Sequence, residues 1–201
     1  MKKQLYFLLH GVLFSSFAWS QTVYDGYAAY HQTRNGVFDG VASFEIPGGT
    51  RKIVTLLGKR FALDRARAFP GEHNEVDLGH AADAYRKSPF ACVEGQSSSA
   101  SGTAVRYQSV YLFDMRQKNK AMVYKLSSLF GACLGVRLDA QLRPLFDHAK
   151  YVYEEGSDLP VGLRLHEYVI ANGKFEATGH AVTTRFVEPG NVYKFEVLNA
   201  K

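Results

Sequence analysis

Hydrophobic and polar residues alternate along several stretches of the chain. From Val37 to Ile46 the even positions are mostly apolar, and the odd positions include Asp39 and Glu45. In the stretch from Val105 to Met115 the odd positions are mostly apolar or aromatic, and the even positions include Arg106, Gln108 and Asp114. A period of two is typical of a strand with one buried and one wetted face. Each stretch therefore predicts a half-buried strand.

The C-terminal part shows the strongest hairpin signal. Leu163–Ile170 and Lys174–Ala177 flank the dipeptide Asn172-Gly173, which tolerates the positive φ angles of a type I′ turn. Two further alternating runs, Ala181–Val187 and Val192–Leu198, follow it. The pattern predicts an antiparallel meander at the end of the chain.

Other segments between residues 23 and 87 are less regular. Ile53–Leu57 is apolar and rich in β-branched residues, which predicts a buried strand. Lys59–Phe69 and Glu75–Lys87 are rich in Ala, Leu and charged residues, a composition that favours short helices. Val23–His31 carries a tyrosine at every third position, and we interpret it as extended.

These elements together predict the fold class. Roughly eight to ten strands with one or two short helices are typical of a mainly β protein (β-rich α+β), built as an antiparallel sandwich or a barrel-like sheet. Residues 21–201 suit a single β-rich domain, because domains usually run to about 100 to 200 residues.

The first twenty residues have the three parts of an export signal. Lys2 and Lys3 precede the apolar run Leu5–Phe17, and small residues occupy positions 18 and 20. This order predicts a signal peptide over residues 1–20 that is removed before Gln21. The alternative is an N-terminal membrane anchor, but the apolar run is shorter than the roughly 20 residues that span a bilayer. We expect no transmembrane segment after removal of the signal and a location in the periplasm or outside the cell.

Export changes the interpretation of the two cysteines. Cys92 and Cys133 both lie in the exported part, and an even number of cysteines in an oxidising compartment favours a disulfide. A bridge that closes about 40 residues would stabilise the fold by roughly 4 kcal/mol in the chain-entropy model. The alternative is two free thiols or a redox pair, although the chain contains no Cys-x-x-Cys motif.

Charge is segregated along the sequence. The formal net charge of +5 falls to +3 when Lys2 and Lys3 are removed with the signal, which is too little to indicate a nucleic-acid partner. Basic residues nevertheless concentrate between positions 51 and 67, where Asp64 is the one acid. Arg60, Arg65 and Arg67 form our candidate binding patch. The alternative is a solvated helix face in which Arg60 pairs with Asp64.

One group of residues has metal-ligand chemistry. On a helix, His73, Asp77 and His80 would lie on one face at positions i, i+4 and i+7, and zinc accepts these ligand types. Gly79 weakens the helix, and a solvated loop or helix is the better interpretation. We therefore expect no metal and no other cofactor.

Catalytic patterns are weaker still. The chain has no Gly-x-Ser-x-Gly motif, and a disulfide would exclude Cys133 as a nucleophile with His148 or His166 as its base. The acidic group Glu154, Glu155 and Asp158 precedes Pro160 and predicts a solvated turn.

These observations favour an exported protein that binds another macromolecule. The expected partner is another exported protein or an envelope component, in the manner of an inhibitor, an immunity protein or an envelope accessory protein. One alternative is an envelope-directed hydrolase that uses His73, Asp77 and His80 as metal ligands. Another is a small-ligand binding barrel, which would contain an apolar cavity. These observations favour a binding protein over an enzyme.

Overall fold

The fold follows from a computed structural model of the chain. It describes a set of ranges separated by short gaps, namely residues 22–34, 38–45, 53–71, 78, 81–95, 107, 109–117, 121–127 and 129–198. The predicted signal, the three predicted metal ligands and residues 75–77, 79 and 80 of the predicted helix 75–87 lie outside these ranges. No helix in the described ranges is long and apolar enough to cross a membrane.

Two six-stranded sheets make up most of the described structure. Sheet A is antiparallel and contains, from edge to edge, β1 (Val23–Asp25), β14 (Lys194–Leu198), β13 (Lys174–Phe186), β12 (Pro160–Ala171), β11 (Pro144–Tyr153) and β10 (Arg137–Leu138). Sheet B contains β2 (Asp39–Glu45), β6 (Ala81–Lys87), β7 (Phe90–Gly95), β8 (Val110–Asp114), β9 (Met122–Lys125) and β5 (Arg67–Ala68). β5 pairs with β9 in parallel. A separate hairpin joins β3 (Ile53–Leu56) to β4 (Lys59–Ala62). The predicted mainly β fold, with an antiparallel sandwich or barrel-like sheet and few helices, is confirmed: the structure has a curled antiparallel half-barrel sheet.

The apolar residues form layers. One face of sheet B packs against the β3–β4 hairpin, and its other face packs against sheet A. The far face of sheet A is covered by the short helix α1 (Tyr27–Thr33). Along β11, Phe146 faces sheet B while Ala149 faces α1, as the alternation of a strand requires.

The hairpin across Asn172-Gly173 forms as predicted. Ala171 pairs with Lys174, and the two turn residues have φ angles of 50° and 75°. The strand that follows is longer than the pattern indicated, because β13 runs without a break through the predicted strand at Ala181–Val187. The pairing of β12 with β13 shifts its register between His166 and Tyr168, and this shift lets the two predicted strands form one continuous strand.

The prediction of one wetted face for β8 is wrong. All five residues of this strand are buried. Val110 and Leu112 belong to the core between the sheets, and Tyr111 and Phe113 belong to the core beneath the β3–β4 hairpin. A strand between two packed layers has no wetted face.

The helices are not where composition placed them. Residues 59–69 form β4, a 3₁₀ turn (Leu63–Arg65) and β5 instead of a helix. Leu57 and Gly58, with φ angles of 50° and 73°, turn the chain back on β3, so cross-strand pairing overrides helix propensity. The described part of the second predicted helix is strand β6, and its Ala82 and Ala84 are buried against the same hairpin.

The segment interpreted as extended contains α1. Its threefold tyrosine spacing puts Tyr27 and Tyr30 on one helix face, and both rings contact Phe195 of β14, with centroids 4.4 and 5.8 Å away. The period of three was therefore a helical signal. Packing on sheet A stabilises a helix too short to persist alone.

Cys92 and Cys133 form the predicted disulfide. Their Cα atoms lie 5.6 Å apart, and both residues are fully buried. Cys92 belongs to β7 of sheet B, and Cys133 begins the 3₁₀ turn (Cys133–Gly135) that leads into β10 of sheet A. The bridge therefore ties the two sheets together at their buried faces.

Candidate binding groove

The three residues of the predicted basic patch lie close together. Arg60 is on β4, Arg65 ends the following 3₁₀ turn, and Arg67 begins β5. All three are exposed, and they line one depression of about 380 Å³. Phe61, Ala62, Ala121, Met122 and Val123 complete its lining.

The apolar residues between these arginines explain their outward position. Phe61 and Leu63 are buried beneath the β3–β4 hairpin, and the Phe61 ring meets Phe113 edge to face at 5.1 Å. Because Phe61 and Leu63 point into the core, the neighbouring side chains of Arg60 and Arg65 point into solvent. The local chain is therefore fixed by its apolar contacts, and the guanidinium groups remain accessible.

A second and larger depression adjoins the first. It has a volume of about 630 Å³, and Arg67 and Met122 line both depressions. Here Arg116, which follows β8, and Arg143, which precedes β11, join Arg67. We call the combined depression, with Arg60, Arg65, Arg67, Arg116 and Arg143, the basic groove.

Three of these arginines are held by hydrogen bonds. Arg67 donates from Nη1 to the carbonyl oxygen of Gly173 at 2.6 Å, which joins the edge of sheet B to the β12–β13 turn. Arg116 makes a bidentate contact with Asp114, at 3.0 Å from Nε to Oδ1 and 2.6 Å from Nη2 to Oδ2. Arg143 donates from Nε to Asp139 Oδ2 at 2.6 Å. The groove is thus largely pre-organised.

The electrostatic character of the groove is positive. It holds five guanidinium groups, of which Arg116 contacts the carboxylate of Asp114 and Arg143 that of Asp139. The hydrogen bond to Asp114 raises the pKa of Arg116, so this group stays charged over the whole physiological range. Met122 and Tyr124 add an apolar and aromatic floor. Such a surface can take carboxylate groups with an apolar neighbour.

A second charged cluster lies away from the groove and holds α1 on sheet A. Asp147 accepts from Arg34 at 2.6 Å and from Arg137 at 3.1 Å. Arg137 also contacts Glu167 Oε2 at 2.8 Å, and Thr178 donates to Glu167 Oε1 at 2.9 Å. Two cations face two anions, so the cluster stabilises the fold and leaves no excess charge for a ligand. Its members are far apart in sequence, and no pattern predicted them.

His31 lies beside this cluster and lines a cavity of about 20 Å³ beneath α1, which has room for about one water molecule. It is 5% exposed, and neither ring nitrogen makes a well-formed hydrogen bond to another described residue, although the backbone of Phe130 lies close enough to favour the protonated ring. Burial lowers its pKa to about 4, against the opposing effect of Asp147. His31 is therefore neutral in the folded protein at neutral pH.

We expect His31 to make the fold sensitive to mild acid. Between pH 6.5 and about 4 the unfolded chain binds a proton at His31 that the folded chain does not, so the free energy of unfolding falls as pH falls, by about 3 kcal/mol in all. Urea unfolding at pH 7 and pH 4, for the wild type and His31→Gln, measures this effect. The variant should lose about 3 kcal/mol less than the wild type between the two pH values. Equal losses would show that His31 does not carry the dependence.

The described residues also contain one serine and histidine contact. Ser127 Oγ lies 2.8 Å from His148 Nδ1, but both residues are buried, with Ser127 only 1% exposed. A nucleophile must reach its substrate, so this pair has a packing role. Within the described ranges there is no group of three metal-ligating side chains, and the hypothesis of a metal at His73, Asp77 and His80 concerns residues outside them.

The sequence predicted three of the five groove arginines. Arg116 and Arg143 were missed because each has an acid close by in the sequence. Arg116 follows Asp114 by two residues and Arg143 follows Asp139 by four, so each pair contributes no net charge to a count of local charge. Only the sheet topology brings them beside Arg67. No family model, curated protein or solved structure significantly matches this chain, so the groove itself carries the functional argument.

Proposed function

We propose that the chain is an exported binding protein and that its basic groove takes an acidic segment of another exported protein. The observation that carries the proposal is the convergence of five arginines from three separate parts of the chain, residues 60–67, 116 and 143, on two adjoining depressions. Bidentate contacts from arginine to carboxylate are strong and directional. The apolar floor adds the kind of anchor that protein interfaces use.

The shape of the groove favours a protein segment over a lipid surface. A bilayer offers a broad surface of phosphate groups, which suits flat or convex basic patches and amphipathic helices. The groove is concave, so a loop or an extended peptide can enter it and place carboxylates on more than one wall. The disulfide is typical of extracytoplasmic compartments, which supports an exported partner.

Reversal of groove charge should weaken binding of an acidic peptide. We expect Arg60→Glu/Arg65→Glu to raise the dissociation constant of a short glutamate-rich peptide at least about tenfold, because two attractive contacts become repulsive. Fluorescence anisotropy with a labelled peptide measures it. Both residues are exposed, so the variant should keep its fold, which circular dichroism checks.

A matched control separates local from overall charge. Lys150 and Arg164 are exposed register partners on β11 and β12, and Lys150→Glu/Arg164→Glu changes the net charge equally. This variant should keep the affinity within about threefold. Equal losses in both variants would contradict a specific groove, as would tighter binding to anionic vesicles than to the peptide.

A further inference from the structure

The end of sheet A opposite the groove carries a second unusual surface. The turn between β11 and β12 and the turn between β13 and β14 lie side by side there, because Gly190 donates from its backbone nitrogen to the Pro160 carbonyl at 2.8 Å. We call this surface the acidic tip. It consists of Glu154, Glu155, Asp158 and Glu188 with the apolar residues Tyr153, Leu159, Val187 and Tyr193.

The acidic tip concentrates both exposed apolar area and negative charge. Four of the seven exposed large hydrophobic residues in the described ranges belong to it, with exposures of 54% for Tyr153, 56% for Leu159, 48% for Val187 and 47% for Tyr193. Residues 153–159 and 187–193 contain four acids and no base. Single exposed apolar residues are normal on a protein surface, but a group of them with a charged rim indicates an interaction site.

The backbone of the acidic tip is fixed by short hydrogen bonds. Ser157 donates from its backbone nitrogen to the Glu154 carbonyl at 3.1 Å, and Asn191 does the same to Glu188 at 3.0 Å. Ser157 Oγ also accepts from the Leu159 backbone nitrogen at 3.2 Å. A surface with little conformational freedom loses little entropy on binding. The tip is therefore ready to enter a complementary surface.

The basic groove has the complementary properties. It lies at the other end of β12, about 35 to 40 Å from the tip, since the strand has twelve residues that each rise about 3.3 Å. The groove is positive where the tip is negative. It is also concave, whereas the tip consists of two protruding turns. Leu142, at 58% exposure, offers an apolar contact beside Arg143.

We propose that the acidic tip of one molecule docks into the basic groove of a second copy of this chain. The inference rests on the proposed function, because it needs a groove that accepts carboxylates, and it names one occupant. The contact joins two different surfaces, so it repeats head to tail and produces short chains or a closed ring. A contact of two turns is small, which makes the assembly weak, transient and sensitive to salt.

Sedimentation velocity over a range of protein concentrations and salt tests the proposal. The wild type should associate as concentration rises and dissociate at high salt. Two neutralised variants, Glu154→Gln/Glu155→Gln in the tip and Arg60→Gln/Arg65→Gln in the groove, should each associate at least about tenfold more weakly. Glu176→Gln, an exposed residue on β13 away from the tip, should associate like the wild type.

Mixing the two variants gives the sharpest result. The tip variant keeps an intact groove and the groove variant keeps an intact tip, so an equimolar mixture should form 1:1 dimers that grow no further. A wild type that stays monomeric at every concentration and salt, or a tip variant that associates like the wild type, would overturn the inference. Retained binding of the glutamate-rich peptide in that case would leave the proposed function intact, and loss of both would overturn both.

Discussion

Replacement of Asp147 by alanine is expected to lower the free energy of unfolding by about 3 to 5 kcal/mol, the usual cost of removing one partner from a buried ion pair. The Asp147 side chain is only 4% exposed and contacts Arg34 and Arg137. Arg137 is itself buried and would keep Glu167 as its remaining carboxylate contact. Urea unfolding at neutral pH, followed by circular dichroism, measures the change.

Two comparison variants show whether the loss comes from the buried cluster. Asp158→Ala removes an exposed acid and should change the free energy of unfolding by less than about 0.5 kcal/mol. Arg137→Met/Asp147→Leu removes the buried guanidinium together with the carboxylate and should be more stable than Asp147→Ala, because the two charges that remain, Arg34 and Glu167, are of opposite sign and lie 3.8 Å apart. A loss below about 1 kcal/mol for Asp147→Ala would mean that the cluster adds little.

Reduction of the disulfide is expected to destabilise the protein by about 4 kcal/mol, since it frees a loop of about 40 residues in the unfolded chain. Cys92 and Cys133 are separated by 41 positions and join the buried faces of the two sheets. Denaturant unfolding with and without a reductant measures the difference. Mass spectrometry of the alkylated protein confirms the state of the thiols.

A double variant serves as the control for reduction. Cys92→Ala/Cys133→Ala should unfold at the same denaturant concentration whether or not the reductant is present. It should also be less stable than the oxidised wild type by at least about 4 kcal/mol, because the smaller side chains leave space in the core. An unchanged unfolding midpoint on reduction of the wild type would contradict the stabilising role of the bridge.

The parts of the fold that the sequence predicted correctly are those decided by neighbouring residues. The Asn172-Gly173 turn and the strand before Pro47 each depend on a few adjacent positions. The helix predictions were wrong at Lys59–Phe69 and at residues 81–87, the part of Glu75–Lys87 that is described as a strand, because intrinsic propensity is weaker than pairing in a sheet. Helix α1 is the opposite case, a helix where none was predicted. Composition does not favour any one structure for this short segment, and the contacts of Tyr27 and Tyr30 with Phe195 stabilise it as a helix.

The groove residues divide in the same way into those that are neighbours in the sequence and those that only the fold brings together. Arg60, Arg65 and Arg67 are near one another in the chain, so a count of local charge was enough to find them. Arg116 and Arg143 reach the same groove only through the pairing of β8 with β9 and of β10 with β11. The acidic tip was visible as Glu154, Glu155 and Asp158, but its apolar residues and Glu188 come together only in the folded sheet.

A titration of the isotope-labelled protein with the glutamate-rich peptide, followed in two-dimensional ¹⁵N–¹H spectra, tests most directly whether the basic groove is the binding site. The backbone signals of residues 60–68, 114–117, 121–124, 139–143 and 171–174 should shift together and saturate at one peptide per molecule. The signals around Lys150 and Arg164, which lie outside the groove, should stay in place. Shifts centred on those two residues, or no shifts in the groove under low salt, would contradict the claim that the basic groove is the binding site.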